Sequence, residues 1–177
     1  MDNIVTTRLN LLPLKLEIIQ TAITGNAELA SVLGVKVLPN WQDEEFLHAL
    51  PELVDILCKN PLQAAWGWGN LVIHQAENTL IGHVMVKIIP DSTGSPTGAL
   101  EIGYYIAPSY RQQGYATEAT KAIVDWAFCQ PIVQSVTAGC DVDNIGSKRV
   151  LEKIGMQMIA SRGNMLIWKL SKTVTVQ

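Results

Sequence analysis

An α+β fold on a mixed, mostly antiparallel sheet is what the sequence predicts, and three observations predict it. Apolar residues recur at helical spacing through the first third of the chain. From Trp66 the pattern changes to short β-rich runs divided by turn-forming residues, which suits an antiparallel meander. After Pro108 come one long amphipathic stretch, a strand-like run, a second helical stretch and a closing hairpin pattern.

Residues 7–14 alternate loosely, are rich in Leu and are closed by Pro13, so they read as an opening strand. Across 14–33, the spacing of Leu16, Ile19, Ile23, Leu29 and Val32 predicts two short helices broken at Gly25-Asn26. Residues 41–59 are helical in pattern, with Asp43, Glu44 and Glu45 at the start, where the helix dipole favours acids. Pro51, which has no N–H to donate, predicts that a new helix begins there. Residues 69–74, 80–89 and 99–107 are the meander strands, and 90–98, PDSTGSPTG, is a loop joining the last two. In the long helix Ala116, Ala119, Thr120, Ile123, Val124 and Ala127 share one face, with Glu118, Lys121 and Asp125 opposite in solvent. Residues 134–142 read as a strand and 145–154 as a helix with Val150, Leu151 and Ile154 inward. Residues 157–161 and 165–170 close the chain as a hairpin around Arg162-Gly163-Asn164.

The chain has 177 residues, which fits one domain, 1–177, and 48% of them are hydrophobic against 16% charged, so global disorder is excluded. Thirteen basic against sixteen acidic residues give a net charge of −3, which offers no overall attraction to nucleic acid or to an anionic membrane. The first ten residues carry no secretory pattern, and no run is apolar and long enough to span a bilayer, so a cytoplasmic location is expected. Cys58, Cys129 and Cys140 are an odd number at wide spacing without a CxxC pair, which predicts reduced, buried thiols and no metal site. No Walker loop, zinc spacing or nucleophile elbow is present, and Trp66-Gly67-Trp68-Gly69 does not continue into a dinucleotide-binding fingerprint because Val72 holds the third glycine position.

Chemistry concentrates in LEIGYYIAPSYRQQGYATEA, residues 100–119. A strand ends near Pro108, and Arg111-Gln112-Gln113-Gly114-Tyr115-Ala116 opens straight into the amphipathic helix. The first turn of a helix has main-chain N–H groups without intrahelical partners and a partial positive charge, so a glycine-containing loop there can wrap phosphate oxygens. Gly114 permits close backbone approach, Ala116 keeps the next turn small, and Arg111 adds a charge-assisted donor.

With these residues in view, the chain resembles the GNAT superfamily of N-acetyltransferases, in particular its branch of ribosomal-protein alanine acetyltransferases. The family signature Q/R-x-x-G-x-G/A is matched by Arg111, Gly114 and Ala116. Asn144-Ile145-Gly146-Ser147 running into VLEKIGM, and the opening TTRLNLLPL, fall in the family's order and approximate spacing. The resemblance spans nearly the whole chain, although 39–61 is matched only in being helical.

The resemblance implies a GNAT fold, with a central sheet of about six to seven strands splayed between the fourth and fifth, here 99–107 and 134–142. It implies acetyl-CoA as co-substrate, its pantetheine arm pairing with main-chain groups of Tyr104, Tyr105 and Ile106. The pyrophosphate would lie on the amides of Gln112, Gln113, Gly114, Tyr115, Ala116 and Thr117. Asn144 resembles the asparagine that bonds pantetheine, with Lys148 or Arg149 near the adenosine phosphate. The implied reaction is direct acetyl transfer to a primary amine, the oxyanion being stabilised by a backbone N–H near Ile106. Glu101 is the candidate proton acceptor, sharing a strand face with Gly103 and Tyr105. Some family members use a late tyrosine to protonate the thiol. Residues 156–177 contain none, which leaves Ser147 or solvent.

Plain structural readings stand beside these. Glu101 could be a paired structural carboxylate, and Asn144 a helix cap. His83, in LIGHVMV, could reach the site as a base or be satisfied locally. Trp66 and Trp68 suit the core, and Trp41 with Phe46 the acceptor pocket. The acceptor could be a protein N-terminus or a small amine such as an amino acid, polyamine or aminoglycoside. Monomer and homodimer are both open, and the rival from another class is a catalytically silent acyl-CoA-binding module.

Overall fold

A computed structural model describes residues 1–173. The described residues form one sheet of nine strands: β1 (Ile4–Val5), β2 (Leu9–Pro13), β3 (Lys36–Val37), β4 (Gly69–His74), β5 (Thr79–Pro90), β6 (Pro96–Ile106), β7 (Ser135–Asp141), β8 (Gln157–Arg162) and β9 (Met165–Ser171). Their order is β1-β2-β4-β5-β6-β7-β9-β8, and β3 joins β5 in parallel. The pairs along this path are antiparallel except β6 with β7. The mixed, mostly antiparallel α+β architecture is as expected. The strand number exceeds the expected six to seven because the two-residue β1 and β3 carry too little pattern to be read. The strands expected as fourth and fifth are therefore β6 and β7.

Among the described residues six helices flank the sheet: α1 (Leu16–Thr24), α2 (Asn26–Leu33), α3 (Glu44–Lys59), α4 (Pro61–Trp66), α5 (Tyr115–Cys129) and α6 (Ile145–Lys153). On one face Ile19, Leu29, Phe46, Leu50, Leu53 and Leu57 pack with Leu71, Ile73 and Leu80 of the sheet. On the other, Ala119, Ile123, Val124, Ala127 and Leu151 pack on Ile102, Ile106, Val136 and Ala138. Each layer buries an apolar stripe against the sheet, and this burial is the main force holding helices to sheet. No helix among the described residues is long and apolar enough to cross a membrane.

Several local expectations are corrected. α3 runs through Pro51 without a restart. Pro51 and Leu47, whose carbonyl would have taken the missing N–H bond, both lie on the exposed side, where water can replace it. In α1 and α2, Ile23 and Val32 point outward at 47% and 54% exposure, and Ala22 turns inward instead, because α1 packs closely on α3 where a small side chain fits. The loop expected over 90–98 is shorter, since β5 and β6 extend until Pro90 pairs with Pro96. The Asp91 carboxylate accepts from Thr93 and Ser95, so the turn satisfies its own polar groups within 91–95. Cys58 and Cys129 are exposed on the outer faces of α3 and α5, and only Cys140 is buried. Glu118, expected in solvent, is turned against Arg8.

Candidate active site

β6 and β7 are paired only from Ala99 to Ile102 against Ser135 to Ala138. Beyond Ile102 the two strands have no mutual pairing, while β6 stays paired to β5 as far as Ile106. This opens a V between adjacent strands. The main-chain N–H of Ala107 donates to Ile81 at 2.8 Å, which sets the alternation along β6. The main-chain groups of Gly103 and Tyr105 turn to β5, and those of Tyr104 and Ile106 face the gap. Of the three residues expected to pair with an extended ligand, Tyr104 and Ile106 present main-chain groups. Tyr105 offers its ring, which lines the cleft.

β6 leads through a single 3₁₀ turn at Pro108–Tyr110 into residues 111–114 and then α5. Gln112 (φ 60°) and Gly114 (φ 85°) both take left-handed conformations, which bend the loop around the start of the helix. The main-chain N–H groups of Gln112, Gln113, Gly114, Tyr115, Ala116 and Thr117 donate to no acceptor among the described residues. Six consecutive free donors at the head of a helix make an anion cradle. The positive φ of Gly114 is a conformation that L side chains rarely adopt, which is what requires glycine there.

Arg8 was not legible as a site residue. Its Nε donates to Glu118 Oε2 at 2.7 Å and its Nη1 to the Gln113 carbonyl at 2.9 Å, and its guanidinium stacks over the Tyr115 ring at 4.2 Å. Burial pushes the Glu118 carboxyl up, but bonds from Thr6 and from the main chain and side chain of Arg8 outweigh it and hold the group below its ordinary value. Arg111 Nε donates to the Ile106 carbonyl at 2.8 Å, so this side chain closes the strand end of the V rather than standing free in the loop.

Beneath the V lies a cleft of about 430 Å³. Phe46 and Leu53 of α3, Trp68, Met85 and Tyr105 give it an apolar and aromatic wall. Asp43, Glu45 and Asp141 are its carboxylates, and among the described residues no Lys or Arg lines it. Trp41 is fully buried behind the wall, edge-on to Phe46, with its indole N–H on Asn26 at 3.0 Å. Phe46 and Trp68 therefore line the cleft, and Trp41 does not. Trp66 packs in the core against Trp126.

On the β7 side, Asn144 caps α6 by accepting from the Ser147 N–H at 3.0 Å, and both residues line the cleft. Tyr104 donates its hydroxyl to the Ser147 carbonyl at 3.1 Å, and burial pushes the phenol up to about 12, so it is protonated at any working pH. Lys148 bonds the Val142 carbonyl at 3.0 Å, and Arg149 lies exposed on the outer side of α6. Glu101 is exposed, between Lys87 of β5 and Thr137 of β7, one pleat before Gly103 on the same strand face and outside the cleft lining. His83 is 2% exposed and lines the cleft, and neither ring nitrogen has a partner among the described residues. This histidine is not satisfied locally, contrary to the usual state of a buried strand histidine.

A family model for the acetyltransferase (GNAT) domain matches residues 8–157, spanning the V, the cradle and α6. The uncharacterized N-acetyltransferase YjdG of Bacillus subtilis is 30% identical over 85% of this chain and 86% of its own length. Among solved structures, the ribosomal-protein-S5-alanine acetyltransferase of Vibrio fischeri superposes with a TM-score of 0.68 at 14% identity, covering 99% of both chains. RimL, a ribosomal L7/L12 alpha-N-protein acetyltransferase in complex with coenzyme A, gives a TM-score of 0.62 at 17% identity over 95% of this chain and 96% of its own. These two share the fold. A strand pair opened into a V, a donor-rich helix start beside it and a match across most of the sequence lead to one assignment: the chain belongs to the GNAT family and is an N-acetyltransferase.

Proposed function

We propose that the protein moves the acetyl group of acetyl-CoA directly to a primary amine bound in the cleft under α3, residues 1–177 acting as one domain. The observation that carries this reading is the row of six free main-chain donors from Gln112 to Thr117, placed where the open edge of β6 ends. A diphosphate satisfies those donors. The extended arm then lies along the main-chain groups of Tyr104 and Ile106, an added strand in the V, and the thioester reaches the cleft. The N–H of Ile106 faces the reacting carbonyl. The side-chain amide of Asn144, whose oxygen is engaged in the cap, has its N–H groups for the arm.

The amine nitrogen bonds to the thioester carbon and the carbon–sulfur bond breaks. The ammonium proton passes through water to Glu101, which is exposed on the strand face that Gly103 continues into the cleft. The thiolate takes a proton from water, directly or through the Ser147 hydroxyl, which receives a proton from water as it passes one on, at the head of α6, where the helix dipole favours the negative sulfur. Asp43, Glu45 and Asp141 attract a cationic acceptor. The test is thiol release from acetyl-CoA over a panel of amines, run beside thermal shift with coenzyme A. Turnover of at least one amine is the expected result. Strong stabilisation by coenzyme A with no turnover of any amine would favour a silent acyl-CoA-binding module instead.

A further inference from the structure

His83 has no role in the acetyl-CoA reading above, yet it is the most costly polar group facing the cleft. A buried imidazole with both nitrogens unpartnered loses its hydration and recovers nothing from the described residues. Its ring faces are already covered. Phe46 lies parallel at 4.0 Å between centroids and 18°, Tyr105 at 6.0 Å and 14°, and Trp41 meets it edge-on at 6.0 Å. Imidazole hydrogen bonds lie in the ring plane, so what fills the cleft is the remaining source of partners.

We propose that His83 is the specificity-determining residue of the acceptor cleft, its imidazole hydrogen-bonding a neutral polar group, a hydroxyl or an amide, that the amine carries next to its nitrogen. This deepens the acetyl-transfer reading and rests on it. The charge of the cleft selects the same class. Asp43, Glu45 and Asp141 line it without any Lys or Arg among the described residues, so a carboxylate on the acceptor would find repulsion and no counter-ion there. Burial also holds the imidazole far below its ordinary value, down to about 4, against a weaker opposing effect of Asp43. A neutral ring has one donor and one acceptor, which matches a hydroxyl or an amide and does not repel an ammonium.

The experiment compares amines of equal shape with and without the polar group: ethanolamine against propylamine, and glycinamide against isobutylamine, with free glycine as the carboxylate. Wild-type enzyme is expected to favour the polar member of each pair by about tenfold or more in kcat/KM and to discriminate against glycine. In His83→Phe, which keeps the stacking and removes both nitrogens, that preference disappears, mainly through KM, while coenzyme A affinity is unchanged and Tm does not fall. A preference that survives in His83→Phe, or that wild type lacks, overturns the inference and leaves the acetyl-transfer reading intact. The His83 ring nitrogen NMR signals of the coenzyme A complex decide the matter without turnover and without the variant. Movement on adding glycinamide but not isobutylamine supports the inference, and movement with neither overturns it. Failure of every amine to react, with coenzyme A bound, counts against the acetyl-transfer reading itself.

Discussion

Arg8 and Glu118 meet across 110 positions of sequence, Nε to Oε2 at 2.7 Å, and the same guanidinium holds the carbonyl of Gln113 at 2.9 Å. One side chain thus joins the turn before β2, the first turn of α5 and the loop that bears the free donors. Its role is to hold a cradle whose own backbone makes few internal bonds.

Loosening that clamp should weaken ligand binding more than the fold. Glu118→Gln removes the charge that fixes Arg8 but keeps the shape, and a charge-assisted bond contributes about 1.5–3 kcal/mol. Calorimetric titration with coenzyme A is expected to show affinity lower by about tenfold, with Tm lower by only a few degrees. The carboxyl of Glu118 lies below its ordinary value, so the native state binds fewer protons than the unfolded chain as pH falls. The clamp's contribution is present above the ordinary carboxylate range and is lost as pH drops through the lowered native value. Unaltered affinity in Glu118→Gln would show that the loop stands without the clamp.

Gly114→Val should abolish tight coenzyme A binding. Gly114 sits at φ 85°, where a β-branched residue is strained. The loop must then rearrange, and the N–H groups of 113–116 no longer converge. A folded variant with wild-type coenzyme A affinity would contradict this.

Glu101→Gln should lower kcat by about tenfold or more, within the usual range for loss of a general base, and leave coenzyme A affinity alone. The carboxylate lies beside the cleft, so its removal affects proton transfer and not binding. Equal turnover would take Glu101 out of the mechanism, and the carboxylates lining the cleft would become the candidates.

Stability should fall on acidification because of His83. Burial lowers its native pKa from 6.5 to about 4, so between these values the unfolded chain binds more protons than the native state. Stability from this residue is complete above about pH 6.5 and is lost as pH falls toward 4, by up to about 3 kcal/mol. Denaturant unfolding of wild type and His83→Phe between these limits should show the difference shrinking as pH rises. Parallel pH profiles would mean that His83 is hydrated or protonated in the native state.

Much of this was legible because the chemistry is local. Arg111 to Ala116, the strand before it and the amphipathic stretch after it are contiguous, and turn chemistry alone places a glycine-bearing loop at a helix start. The V followed from the same residues through the family resemblance. Arg8 was missed because its partners lie in residues 113–118, and no local signal in TTRLN distinguishes a clamp from a solvated charge. The orphaned state of His83 is a property of what surrounds it in three dimensions, and LIGHVMV reads equally well for a satisfied strand histidine. Pro51 misled for the opposite reason: its local rule is sound, but the broken bond fell on the solvent face.

The proposed grip of the main-chain donors of residues 112–117 on the diphosphate of acetyl-CoA is read out by amide NMR during titration. Adding coenzyme A should move the amide signals of Gln112 to Thr117 more than any other contiguous set, while pantetheine, which lacks the diphosphate, should leave them in place. Binding of coenzyme A with those six signals unmoved, or no binding at millimolar concentration, would contradict the account.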